Sequence, residues 1–184
     1  MKTKFLEQEI KYEGWQLAPH WIYKNFKIQG DAAVAFIGEC EVKLTEMVDI
    51  EDVINNEPIY SKSMLSFISE QFNVGLVEGV FRQRLLICTI KEALEKRGFN
   101  ITRNGDDLFF EGKKLTVSIA TKSMTSILIH TGININSEGA PVQASGLTSE
   151  MGITDIEDFA KEVMTNYEQE IDDIILASTK VRGV

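Results

Sequence analysis

The chain has 184 residues, 43% hydrophobic and 26% charged, with a formal net charge of −9. That balance suits one globular domain over residues 1–184, large enough for a proper core. It argues against general nucleic-acid binding, which needs a concentrated basic surface, although a local basic groove stays open. No apolar run approaches a membrane span, and the N-terminal MKTKFLEQEIKYEG lacks an apolar signal core. A cytoplasmic protein with no membrane partner is therefore expected. Cys40 and Cys88 lie far apart, with no CxxC pair and no metal-ligand spacing. They read as buried, reduced thiols.

In chain order, residues 4–10 read as a short strand. Gly14 to Lys24 is irregular and aromatic-rich; Trp15, Trp21 and Tyr23 either wall an apolar pocket or pack in the core. DAAVAFIGECEV reads as a strand entering a turn at Gly38, and Asp49–Ile54 as a short helix. Ser63–Phe72 fits a strand, with Met64, Ser66 and Ile68 on one face and Leu65 and Phe67 on the other, but a helix fits nearly as well. Val77–Arg97 is the clearest helix, with Val80, Leu85, Ile87, Cys88, Ile90, Ala93 and Leu94 at helical spacing. Gly98 stands where a C-terminal cap prefers glycine. Arg82 and Arg84, on different sides of this helix, read as solvated or paired with acids.

The stretch RNGDDLFFEGKKLTVSIATKSMTSILIHTGININ, Arg103 to Asn136, reads as strands. Asn104-Gly105 is a turn signal, and Gly112-Lys113 can close a hairpin between DLFFE and KLTVSIA. That loop sets Glu111 opposite Lys114 and Asp107 opposite Ser118. Leu108, Phe110, Leu115, Val117 and Ile119 then share an apolar face. Asp107, Phe109, Glu111, Lys114, Thr116 and Ser118 share the other, which is either a solvated surface or the floor of a site. A second helix begins near Asp155, with Ile156, Phe159, Val163, Tyr167 and Ile171 on its apolar stripe. Strands and helices do not alternate regularly, which predicts an α+β fold around a mixed, largely antiparallel sheet.

DDLFFEGKKL resembles the strand-turn-strand of biotin protein ligases, whose pattern reads WPNDLxxxGRKLAGIL. Asp107 falls on the acidic residue of that pattern, Gly112 on the turn glycine and Lys114 on the catalytic lysine. GININ is similar to the GINV/GINM element of the same ligases. KKLTVSIA to HTGININ also resembles the lipoyl (octanoyl) transferases, where a lysine strand leads to an HGLALNVN-like segment. These motifs cover about a fifth of the chain. The whole chain is similar to the DUF366 family, placed near these ligases. The resemblance implies the biotin and lipoate ligase fold, shared with class II aminoacyl-tRNA synthetase catalytic domains.

It also implies roles. Lys114 would contact the carboxylate of an acid and the phosphate of its adenylate, where a fixed cation stabilises developing negative charge. The alternative is an exposed pair with Glu111. Asp107 would hold magnesium or a substrate head group, with Asp106 as a second metal ligand; a turn aspartate is the plain reading. Asn134 and Asn136 would lie near nucleotide phosphates, or simply end a strand. His130 stands where the lipoyl transferases have histidine, and its face depends on the register of the KSMT loop. A structural histidine is the alternative. Ser118, on the face of Asp107 and Lys114, joins them as a substrate-binding candidate. ATP and magnesium are the implied cofactors. The implied partners are a small carboxylic acid and an acceptor protein, and a homodimer is among the expected assemblies.

The departures bear on mechanism. Neither the GRGRxGR loop of biotin ligases nor the RRxSGGGxVxH loop of lipoate ligases is present, and the corresponding stretch offers Lys62. Val117 replaces the glycine of KLAG, narrowing an acid pocket. SEGAPVQASG holds no cysteine, which disfavours thioester transfer there. Two functions follow: an enzyme that activates or transfers a small carboxylic acid, or a binding or assembly protein that kept the fold without the chemistry.

Overall fold

A computed structural model describes residues 1–183. The elements are β1 (Lys2–Phe5), α1 (Trp21–Phe26), β2 (Ala32–Val42), α2 (Ile50–Asn55), β3 (Ile59–Phe72), α3 (Leu76–Lys96), β4 (Ile101–Asn104), β5 (Asp107–Phe110), β6 (Lys113–Lys114), β7 (Thr116–Lys122), β8 (Ser126–Asn136) and α4 (Ile156–Thr179). A five-stranded sheet has the order β1-β2-β3-β8-β7, and a three-stranded one the order β4-β5-β6. β1 runs parallel to β2; the other strand pairs are antiparallel. The architecture is α+β, dominated by antiparallel pairing.

Ser63–Phe72 is strand because tertiary pairing settles what the pattern leaves open. β2 and β8 bond to it on either side. Its alternation then serves two cores. Leu65 and Phe67 pack with α3 and α4. Met64 and Ile68 pack beneath residues 6–28, with Leu6, Tyr12, Trp21 and Ile22. A strand covered on both faces needs apolar residues at successive positions, and so gives no clean period. On α4, Ile156, Phe159, Val163, Tyr167 and Ile171 are buried, at about 1.5–3 kcal/mol for each large apolar side chain. Gly98 follows α3 at φ 89°, with its N–H and that of Phe99 donating to Glu95 and Leu94 carbonyls.

Several local expectations are corrected. The first strand is Lys2–Phe5, not 4–10; beyond it the backbone follows β2 irregularly, through Leu6 to Ala35 and Ile10 to Ile37. Gly38 makes no turn. β2 runs through it with a register shift between Gly38 and Cys40. Its glycine is steric: a Cβ there would lie 2.0 Å from the Ile10 carbonyl oxygen. Of the aromatics near the N-terminus, Trp21 is buried, whereas Trp15 and Tyr23 are exposed. Cys40 is buried and Cys88 only half-buried.

The hairpin closes at Glu111-Gly112 rather than Gly112-Lys113, pairing Phe110 with Lys113 and Phe109 with Lys114. Both loop residues have positive φ, 51° and 76°, as a two-residue turn matching strand twist requires. Leu108 and Leu115 face the helix core as expected. Val117 does not join them; it packs on the opposite core. The chain passes from the small sheet to the large one between β6 and β7, and the phase of the alternation breaks there.

Candidate functional site

On the sheet face away from α3 and α4, a cavity of about 230 Å³ opens between β7–β8, the N-terminal segment, α2 and the loop 140–144. Lys114, Asp106, Asp107, Ser118, His130 and Asn134 all line it; Asn136 does not. The Asn136 side-chain oxygen instead accepts from the Glu138 backbone N–H at 2.9 Å, making a turn.

Lys114 and Asp107 form the polar end. They share a face of adjacent strands, and the shift of the hairpin loop sets Phe109 rather than Glu111 opposite Lys114, which brings Asp107 within reach, with Nζ 3.0 Å from Oδ2. Lys114 therefore pairs with Asp107, not Glu111. Both are half-buried. Burial raises the Asp107 carboxyl pKa above the usual aspartate range, and the Lys114 ammonium pulls against that shift. The backbone of Lys114 is held in turn by the loop: its N–H donates to Gln143 and its carbonyl accepts from Ser145.

Asp106 is committed within the protein. Gln83 donates to one oxygen at 2.8 Å, and Arg84 lies 3.2 Å from the other. Ser118 is similarly engaged, 2.8 Å from the Thr131 hydroxyl and accepting from Gln83 at 3.0 Å. Gln83 thus ties α3 to the inner wall of the cavity. The sequence reading passed it over, although 83, 87, 90 and 94 share helical spacing and Gln83 is buried with Ile87, Ile90 and Leu94.

His130 is buried with its ring stacked on Tyr12, centroids 3.7 Å apart, and its Nε2 lies 3.3 Å from the Ser66 hydroxyl. Burial drives its pKa down to about 3, so it is neutral at physiological pH. The same desolvation pushes the Tyr12 phenol up. Tyr12, Met64, Val117 and Ile119 make this end of the cavity largely apolar. Gly132, opposite Val117 on β8, leaves room for Met64: a Cβ would lie 2.2 Å from Met64 Sδ.

Asn134 lines the cavity at 9% exposure. Its backbone is locked between Leu115 and Leu147, yet its side-chain amide has no hydrogen-bond partner among the described residues.

α2 contributes Asp52, which sequence reasoning did not single out. Asp52 is half-buried. Its pKa is raised first by burial and then by Asp49, while Lys114 lowers it. Lys62 is exposed and paired with Glu138 at 3.0 Å, away from the cavity lining. No group of three or more His, Cys, Asp or Glu side chains among the described residues is placed to hold a metal ion. No helix of the described chain is long and apolar enough to cross a membrane.

The fold has relatives. An uncharacterised protein of Methanocaldococcus jannaschii is 39% identical over 180 residues, covering 95% of this chain and 81% of that protein. The structure of a Pyrococcus horikoshi protein of unknown function superposes with a TM-score of 0.94 at 39% identity, covering 100% of this chain and 98% of the other. A point mutant of the Aquifex aeolicus biotin protein ligase, in complex with biotin, gives a TM-score of 0.63 at 15% identity, over 94% of this chain and 70% of the other. A T. acidophilum protein described as a lipoate protein ligase, with bound lipoic acid, gives 0.63 at 12% identity, over 94% and 86%. At such identities the likeness to the two ligases is one of fold. The family model "Domain of unknown function (DUF366)" matches residues 1–182, and the chain therefore belongs to the DUF366 family, on the fold of the biotin and lipoate ligases.

Proposed function

We propose that the cavity binds a small carboxylic acid and that its acyl group is activated or transferred at the Lys114 end. One observation carries this reading: Lys114 stands at the polar end of a cavity whose other end is apolar, and it is the one cationic side chain among the described lining residues. A carboxylate meeting Lys114 would leave its apolar body against Tyr12, Met64, Val117 and Ile119. The fold's likeness to proteins holding biotin and lipoic acid supports the substrate class. In that reading Lys114 is the electrostatic stabiliser of the carboxylate and of the oxyanion that forms from it. Asp107 orients the Lys114 ammonium. His130, held neutral, offers a ring nitrogen without adding charge.

The donor set does not fit a resident magnesium, since Asp106 is taken by Gln83 and Arg84, Asp107 has only Oδ1 outside its pair with Lys114, and no three such donors converge among the described residues. Residues 43–58, between β2 and β3, hold Lys43 as their single base against five acids, and the stretch corresponding to the ligases' basic glycine-rich loop offers Lys62, which is paired with Glu138. ATP affinity is accordingly expected in the millimolar range, because much of such affinity comes from the backbone N–H groups of a loop whose motif this sequence lacks. That acidic stretch favours a second reading, ligand binding without chemistry. Carboxylate-dependent pyrophosphate–ATP exchange over a panel of acids separates the two. Exchange that is lost in Lys114→Ala supports the enzyme. Acid binding without exchange supports the second reading, and neither binding nor exchange removes both.

A further inference from the structure

The charges around the cavity do not suit an acid alone. Six carboxylates line it, Glu46, Asp49, Asp52, Glu57, Asp106 and Asp107, against the single ammonium of Lys114. Most are accounted for. Glu46 and Glu57 are exposed and solvated. Asp49 caps α2, accepting from the N–H groups of Glu51 and Asp52. Asp106 is bonded to Gln83 and Arg84. That leaves Asp52 and Asp107, both half-buried and both within the field of one Lys114. Two carboxylates share one cation, so the polar end keeps an uncompensated negative charge. The Asp52 carboxylate has no hydrogen-bond or ion-pair partner among the described residues. A half-buried carboxylate left in that state is costly, and a bound cation would relieve the cost.

A second observation is independent of the acids. Asn134, 9% exposed, lines the same cavity, and its amide has no hydrogen-bond partner among the described residues; no buried side-chain N or O among them lacks a partner, so the amide opens onto the cavity. Asn134 lies beside the β6–β7 junction, where its backbone N–H donates to Leu115, and so close to Lys114 in the chain. It offers a donor for an anion bound at Lys114 and an acceptor for an amine beside it.

We infer that the cavity's ligand is a zwitterion of the α-amino-acid class, its ammonium met by Asp52 and Asp107, its carboxylate by Lys114 and Asn134, and its apolar side chain by Tyr12, Met64, Val117 and Ile119. The spacing favours adjacent charges on the ligand. Lys114 Nζ and Asp107 Oδ2 are 3.0 Å apart, so groups bound to each must themselves be neighbours, as amino and carboxylate groups on one carbon are. A simple fatty or thio-fatty acid would satisfy Lys114 and leave Asp52 unanswered.

This inference rests on the carboxylate reading above and is tested separately from it. Calorimetric titration of the full chain would compare L-leucine with 4-methylpentanoate, which lacks the amine, and with 3-methylbutylamine, which lacks the carboxylate. L-Phenylalanine, 3-phenylpropanoate and phenethylamine repeat the set at larger size. The amino acid of at least one set should bind about tenfold or more tighter than both of its partners. Asp52→Asn should erase the preference for the amine, and Lys114→Ala the preference for the carboxylate. Asp52 lies on a helix with no buried residue, so its variant should melt like the native protein. If the des-amino acid binds as tightly as the amino acid, the inference falls while the carboxylate reading survives. If the amine alone binds as tightly, both fall. If no probe binds at millimolar concentration, the amino-acid class is refuted, and the exchange assay with other acids still decides the broader reading.

Discussion

Acidification should unfold this protein partly through His130. The imidazole is 3% exposed, and burial sets its pKa at about 3, against about 6.5 in an unfolded chain. A base with a depressed folded value takes up its proton first in the unfolded state. Its contribution to stability is therefore complete above the unfolded value and is lost as pH falls from there towards the folded one. Inside that window the loss is about 1.4 kcal/mol per pH unit, so lowering the pH from 6.5 to 5 removes roughly 2 kcal/mol. Urea unfolding at pH 7.5 and pH 5, on the native protein and on His130→Phe, reads this directly. Phenylalanine keeps a ring against Tyr12 and does not titrate; the lost Ser66 contact offsets stability at both pH values equally. Asp107 works in the opposite sense. Its raised carboxyl pKa gives a contribution present below the unfolded aspartate value and lost as pH rises through the folded one. It is common to both proteins and cancels in the comparison. The native chain should lose roughly 2 kcal/mol more than the variant between the two pH values. Equal losses would mean that His130 takes up its proton inside the fold, and the neutral, dry imidazole described here would be wrong.

Other residues make separate tests. Lys114→Ala should shift stability by less than about 1 kcal/mol, because its pair with Asp107 is half-exposed, yet abolish ligand binding or turnover; a large loss of stability with binding retained would make Lys114 structural. Glu111→Asn should raise stability by about 0.5–1 kcal/mol, since Glu111 sits at φ 51° in a two-residue turn where asparagine is preferred; unchanged urea midpoints would argue against the turn assigned here. Gly38→Ala should cost about 2 kcal/mol or more, because its Cβ meets the Ile10 backbone 2.0 Å away and backbone cannot step aside as a side chain can; a native-like melting temperature would show that the N-terminal segment does not pack against β2 as described.

The α+β class, both long helices and the strand character of Asp107–Asn136 were legible from the sequence alone, because each rests on periodicity or capping within a few residues. Asp107, Lys114, His130 and Asn134, singled out by motif likeness, and Ser118, singled out by strand pattern, line one cavity. Tertiary structure decided the rest. Whether Ser63–Phe72 was strand or helix depended on β2 and β8 pairing with it, a long-range fact that no local window contains. The hairpin loop moved by one residue because strand twist selects two positive-φ positions, and that step turned Lys114 from Glu111 to Asp107. Asn136 left the cavity for a turn. Asp52 and Tyr12 entered the site from two distant segments, as carboxylate and phenol ring, and Gln83 holds Asp106 and Ser118 from α3. Residue type alone does not mark such groups. Their chemistry here comes from burial and from the charges beside them, and both are properties of the folded chain.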